Sequence, residues 1–225
     1  MTNDRERRAF TFDVRAEENE EHGHFLSGTP IVFDVQTDLG WCRECIAPGA
    51  LDDADMKDVR FLVGHDTSAI PLARSRNNNA NSTMQMSVND KGMDIRVDLD
   101  TENNGRAREL YSAAKRQDIS GMSFMFSVDS VSWEDLDSDK PLRRITKIRR
   151  IYEVSAVAFP AYESTTLEAR SDNCEVLDSN HAALESVKAE LAEARAAHLA
   201  AKAKAEAERE NAKARIRILL EANKR

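Results

Sequence analysis

After Tyr162 the chain has no aromatic residue, after Pro160 no proline and after Gly121 no glycine. With both helix breakers absent, nothing interrupts a helix from Ala161 to the C-terminus. Cysteine is scarce as well. Cys42, Cys45 and Cys174 are an odd number in 225 residues, which argues against a disulfide framework and for a reducing compartment. Long apolar runs are missing, since no stretch approaches the ~20 residues of a membrane span. The charged segment Met1–Arg8, with no apolar run after it, does not read as a secretory signal. A soluble, cytoplasmic protein without a membrane partner is expected. Basic charge is also in deficit, with 32 Lys and Arg against 40 Asp and Glu. That deficit lies in residues 1–174, where 22 basic face 31 acidic residues, while 175–225 hold ten against nine. An acidic body excludes a protein that works by neutralising nucleic-acid phosphates.

The 225 residues suffice for one domain of ~150–170 residues with its own core plus an appendage. We expect a domain over 1–170 and a helical tail over 171–225. Alternating apolar residues predict strands over Ala9–Val14, Ile31–Val35, Val59–Gly64 and Phe124–Trp133, with one or two more over Arg143–Phe159. Thr83–Val88 and Met93–Leu99 read as a hairpin turned at Asn89-Asp90-Lys91-Gly92. Glu17–His24 and Ala73–Ser82 read as loops, and Pro48–Lys57 as a turn and short helix. Ala107, Leu110, Tyr111 and Ala114 recur at helical spacing over 105–116, with caps available in Thr101–Asn104. Many short strands with few helices predict an α+β, mainly β fold, a closed or nearly closed β-barrel with surrounding helices and a long C-terminal helix.

Cys42-Arg43-Glu44-Cys45 has zinc-knuckle spacing, but a tetrahedral site needs two more ligands, and His22 with His24 is the one near pair. Two cysteines in a strand beside Trp41 is the preferred reading, and no metal or cofactor is expected. The chemistry lies elsewhere. In Asp118-Ile119-Ser120-Gly121-Met122-Ser123-Phe124-Met125-Phe126 a small hydroxyl sits inside an apolar strand, with Ser123 projecting opposite Phe124 and Phe126. Phe61-Leu62-Val63-Gly64-His65-Asp66 is an apolar strand that ends in a histidine, and Glu153 stands within another, Ile151–Phe159. A serine hydroxyl becomes a nucleophile near neutral pH when a base takes its proton, and a buried carboxylate is costly without a partner. A Ser, a His and an acid on three strands are the ingredients of acyl transfer. Each has a plainer role open to it. His65 could be a hydrogen-bonded structural histidine, Glu153 could pair with Arg149 or Arg150, and Ser120 beside Gly121 is a competing serine. Asp66 follows His65 directly, and consecutive strand residues point to opposite faces, which makes it a poor orienter of the imidazole.

Gly64-His65-Asp66, Ser120-Gly121-Met122-Ser123-Phe124, and Glu153-Val154-Ser155-Ala156-Val157 with Phe159-Pro160-Ala161 resemble, in order and spacing, the three signature blocks of the prohead (capsid maturation) serine proteases of tailed phages and prophages, the HK97 type. Leu26–Phe33 and Asp38-Leu39-Gly40-Trp41 with Glu44–Ala50 resemble the family's opening block, so the likeness covers about residues 10–170. The resemblance implies Ser123 as nucleophile, His65 as base and Glu153 as its acid. It also implies a barrel like that of the herpesvirus assemblins, without a cofactor. By the same resemblance the chain is a serine endopeptidase that cuts capsid or scaffold protein, and then itself, inside the immature capsid in the host cytoplasm. The implied partners are the major capsid protein and the scaffold segment, with the protease itself a homo-oligomer. The sequence departs from the pattern at Met125, where a glycine usually follows Ser-Phe, and in Ser75–Asn81, which carries asparagines where a glycine-containing turn is usual.

The tail holds fifteen alanines in 175–225, and Leu184, Val187, Leu191, Ala194 and Ala201 fall near heptad spacing. Its charge pairing is poor, with Glu206 and Glu210 alike at i,i+4. Such a helix gains little from propensity alone, so association with capsid or scaffold helices is expected of it. The alternative to a protease is a catalytically idle scaffolding protein that acts through this helix. The absence of a Gly-x-Ser-x-Gly elbow disfavours a small-ester hydrolase.

Overall fold

A computed structural model describes residues 5–10, 14–158 and 174–222. Among them the strands are β1 (Arg5–Phe10), β2 (Arg15–Asn19), β3 (Gly23–Val32), β4 (Thr37–Asp38), β5 (Arg43–Ile46), β6 (Asp58–Val63), β7 (Ala73–Arg76), β8 (Met84–Val88) and β9 (Gly92–Asp98). Helix α1 (Gly105–Lys115) follows, then the long strands β10 (Gly121–Glu134) and β11 (Leu142–Val157), and helix α2 (Cys174–Ala222). Phe159-Pro160-Ala161 and the expected boundary at 170 lie outside the described residues.

Strand β11 has 16 residues, enough to serve several partners. It pairs antiparallel with β10, and on its other edge it takes β5 and then β6, both parallel. The larger sheet runs β1-β10-β11-β5-β4, with β6 and β7 branching from β11, and the second runs β2-β3-β9-β8. Among the described residues neither ladder closes on itself, where a closed or nearly closed barrel was expected. The sheets meet at β7 and β8 through single bonds, Thr83 N–H to Arg74 O at 3.0 Å and Arg74 N–H to Thr83 Oγ1 at 2.9 Å, instead of a continuous ladder.

The hairpin and the capped helix fold as expected. Asn104 caps α1 by accepting from Arg106 N–H and Ala107 N–H, and Ala107, Leu110, Tyr111 and Ala114 are its buried face. Gly92 ends the hairpin turn where a Cβ would stand 2.0 Å from Ile31 O, which excludes every other residue. Three segments differ from expectation. Glu17–His24 is the β2–β3 hairpin, because a polar strand still satisfies its backbone by pairing across the turn. Ala73–Ser82 opens with β7, which pairs with β6, before Asn77 and Asn78 turn the chain at φ 56° and 51°. Pro48–Lys57 is a series of turns without a helix.

Leu26, Phe61, Phe124, Phe126, Ile145 and Val154 have no exposed surface and lie in one core between the sheets. Full burial of such a side chain contributes ~1.5–3 kcal/mol. Met122, Phe124 and Phe126 of β10 fill this core, so Ser123 and Met125 project to the opposite face of the sheet, where they too are buried.

A buried charge cluster ties the chain ends to the sheet. Arg143, 1% exposed, donates to Glu6 on β1 (2.9 and 3.0 Å), to Glu44 on β5 (2.7 Å) and to Glu190 on α2 (3.1 Å). Arg8 adds bonds to Glu6 (2.6 Å) and Glu44 (2.8 Å). Burial opposes the charge of Glu44, but the Arg8 and Arg143 guanidiniums prevail and hold its carboxyl below the ordinary value. Trp133 Nε1–H donates to Glu190 Oε1 at 2.7 Å. Val187 and Leu191, two residues of the heptad seam, are buried beside this contact, whereas 203–216 are exposed. The near end of the seam is thus used within the chain. Among the described residues no helix is long and apolar enough to cross a membrane.

Candidate active site

Strand β6 ends at Val63, and Gly64 and His65 both take φ 61°. Asp66 N–H returns to Val63 O at 3.2 Å, so Val63–Asp66 is a tight turn with two left-handed central residues, the φ pattern of type I′. Glycine adopts this freely, but for His65 it is uncommon and needs support. Asp66 turns away and accepts from the Ser68 hydroxyl (2.6 Å) and from the N–H groups of Ser68 and Ala69.

The turn presents the imidazole to β11. His65 Nδ1 lies 2.7 Å from Glu153 Oε1, and the two side chains are 14% and 3% exposed. Arg149 and Arg150, the other partners open to Glu153 in the sequence, pair with Asp129 and Asp55. Glu153 Oε2 accepts from the hydroxyl of Ser155, which itself accepts from His65 N–H at 3.2 Å. With Nδ1 committed to Glu153, Nε2 is the imidazole nitrogen left for a proton in transit.

Ser123 stands directly across from Ser155 in the β10–β11 ladder, and Met125 across from Glu153. Opposed residues share a face about 5 Å apart at Cα, so Ser123, Ser155, Met125 and Glu153 are neighbours on the face of the sheet turned away from Phe124 and Phe126. The pairing slips between Met125 and Phe126, a bulge beside the candidate site. Ser123 is 1% exposed and donates to the backbone carbonyl of Arg8 at 2.8 Å. In this conformation its proton is held by a carbonyl of β1. Ser120, three residues earlier, precedes β10 and is exposed.

Sequence reasoning missed two neighbours. Arg7 lies opposite Met125 in the β1–β10 ladder, next to the Glu153 row. Burial lowers its pKa against the attraction of Glu153, and its Nη1 is buried with no hydrogen-bond partner among the described residues. Ser155 was visible only as part of a motif. Cys42 and Cys45 are buried free thiols away from these residues, and burial pushes Cys42 up to about 12.

The profile described as caudovirus prohead serine protease matches residues 10–179, about three quarters of the chain. The chain belongs to this family. The matched span contains His65, Ser123 and Glu153 and stops within α2. Among solved structures, the capsid assembly protease of bacteriophage T4, gp21, is similar at 11% identity and a TM-score of 0.36, over 68% of this chain and 98% of that one. No curated protein sequence matches the chain.

Proposed function

We propose that this member of the prohead protease family is a serine endopeptidase of capsid maturation, with Ser123 as nucleophile, His65 as general base and Glu153 as the acid that orients it. The observation that carries the reading is the 2.7 Å bond between His65 and Glu153, set two ladder positions from Ser123 on the same face. Ser123 Oγ attacks the scissile carbonyl carbon while His65 Nε2 takes its proton, and the same proton goes to the leaving amine as the acyl-enzyme forms. Water, deprotonated by His65, then releases the acyl product. Glu153 fixes the tautomer that leaves Nε2 unprotonated at the start and stabilises the imidazolium that follows. Met125 adds bulk on the same face and narrows the room for substrate side chains.

The proposed substrates are capsid and scaffold chains inside the prohead, with self-cleavage after them, by a protease domain over 1–170 that assembles as a homo-oligomer. The exposed part of α2 is proposed to dock on capsid or scaffold helices. The junction of β7 and β8 is where an assemblin-like barrel would close.

Co-expression with the neighbouring capsid gene product, followed by intact mass of both chains, tests this. Wild-type and Ser120→Ala chains should yield cleaved products, and Ser123→Ala and His65→Ala chains none. A wild-type chain that assembles with the capsid protein and leaves it whole would favour the idle scaffold.

A further inference from the structure

Ser155 has no exposed surface, yet its hydroxyl is fully engaged: the proton goes to Glu153 Oε2 and a lone pair receives His65 N–H. One side chain therefore touches both the acid and the backbone of the base. Glu153 Oε1 holds the imidazole at Nδ1, so with Oε2 held by Ser155 the carboxylate cannot turn about its terminal bond without breaking a contact. The second contact acts on strain. His65 occupies a left-handed conformation disfavoured for a residue with a Cβ, and the Ser155 acceptor anchors its N–H there.

We propose that Ser155 is a positioning residue of this site, a brace that fixes the Glu153 carboxylate and the His65 turn relative to each other. It differs from a nucleophile in that its proton goes to Glu153 Oε2 and its lone pair to His65 N–H, so both contacts lie within the acid–base pair itself. Its place in the ladder, directly opposite Ser123, ties that brace to the strand that carries the hydroxyl to be activated. The inference rests on the assignment of Ser123, His65 and Glu153 made above.

The test is the labelling of the full chain by a fluorophosphonate, which phosphonylates an activated serine. Its saturation kinetics separate kinact from KI, and the final extent counts competent sites. Ser155→Ala should lower kinact by about 10- to 100-fold, the worth of a charge-assisted hydrogen bond, with KI and the final extent unchanged. Ser155→Thr, which keeps the hydroxyl, should restore most of the rate. Should Ser155→Ala fail to fold, Ser155→Cys, of similar size with a feeble donor, serves in its place and should show the same loss with an unchanged melting curve. A wild-type kinact per labelled site in Ser155→Ala or Ser155→Cys overturns the proposal, as does a loss confined to the final extent. Labelling that persists in Ser123→Ala overturns the underlying assignment instead.

Discussion

His65 Nδ1 and Glu153 Oε1 are 2.7 Å apart although 88 positions separate the two residues. The parallel pairing of β6 with β11 brings them together, setting Leu62 beside Ser155 and Val63 beside Ala156. The turn that follows then carries His65 back over the strand. If the pair serves catalysis, Glu153→Gln should keep the fold and lower turnover by roughly 10²–10⁴, because an amide favours the wrong imidazole tautomer. Turnover and thermal melting on that variant check it. Unchanged turnover with a lowered melting temperature would reduce Glu153 to a structural ion-pair partner.

The Arg143 cluster predicts an asymmetry. Arg143→Ala takes one of two guanidiniums from the buried Glu6 and Glu44 and should cost about 3–5 kcal/mol. Glu190→Gln removes a partner that is 33% exposed and should cost less than about 1 kcal/mol. Denaturant midpoints of both variants decide, and equal costs would contradict the burial argument.

Acid should loosen the same cluster. The Glu44 carboxyl titrates lower in the folded chain than in the unfolded one, so the unfolded state binds more protons and stability rises with pH across that interval. Its contribution is complete above the unfolded value of about 4.3 and disappears as pH falls through the folded value. Unfolding curves from pH 7 to pH 3 should fall more steeply for wild type than for Glu44→Gln.

Burial keeps the thiols of Cys42 and Cys45 protonated, the first up to about 12, the second raised in the same direction. In a Cys174→Ser background, a chromogenic disulfide reagent at pH 8 should therefore find neither thiol in the folded chain and both after denaturation. Rapid reaction of the native protein would place one of them at the surface.

Much of this arrangement was legible in residue order. Alternation in β10 separated Ser123 from Phe124 and Phe126, and the spacing of Ala107, Leu110, Tyr111 and Ala114 fixed both the extent and the buried face of α1. Glu17–His24 and Ala73–Arg76 looked like loops because their side chains are largely polar, while what makes them strands is backbone pairing to β3 and β6. The roles of Arg143 and Ser155 were hidden for a related reason. Each acts through partners distant in sequence, and neither residue differs in type from its many exposed counterparts.

Arg143 closes its cluster with residues 137 positions earlier, 99 positions earlier and 47 positions later. Loops of that length cost entropy before their contacts repay it, so such contacts form late in folding. Strand β1 is synthesised before all of these partners, yet Glu6 must wait for Arg143, and Arg143 for Glu190, before the cluster is complete. Arg8 O meets the Ser123 hydroxyl 115 positions away under the same constraint. On a ribosome, the Ser123 hydroxyl and Arg8 O therefore meet only after β10 has emerged, and the charge cluster beside β1 is complete only after Glu190 has.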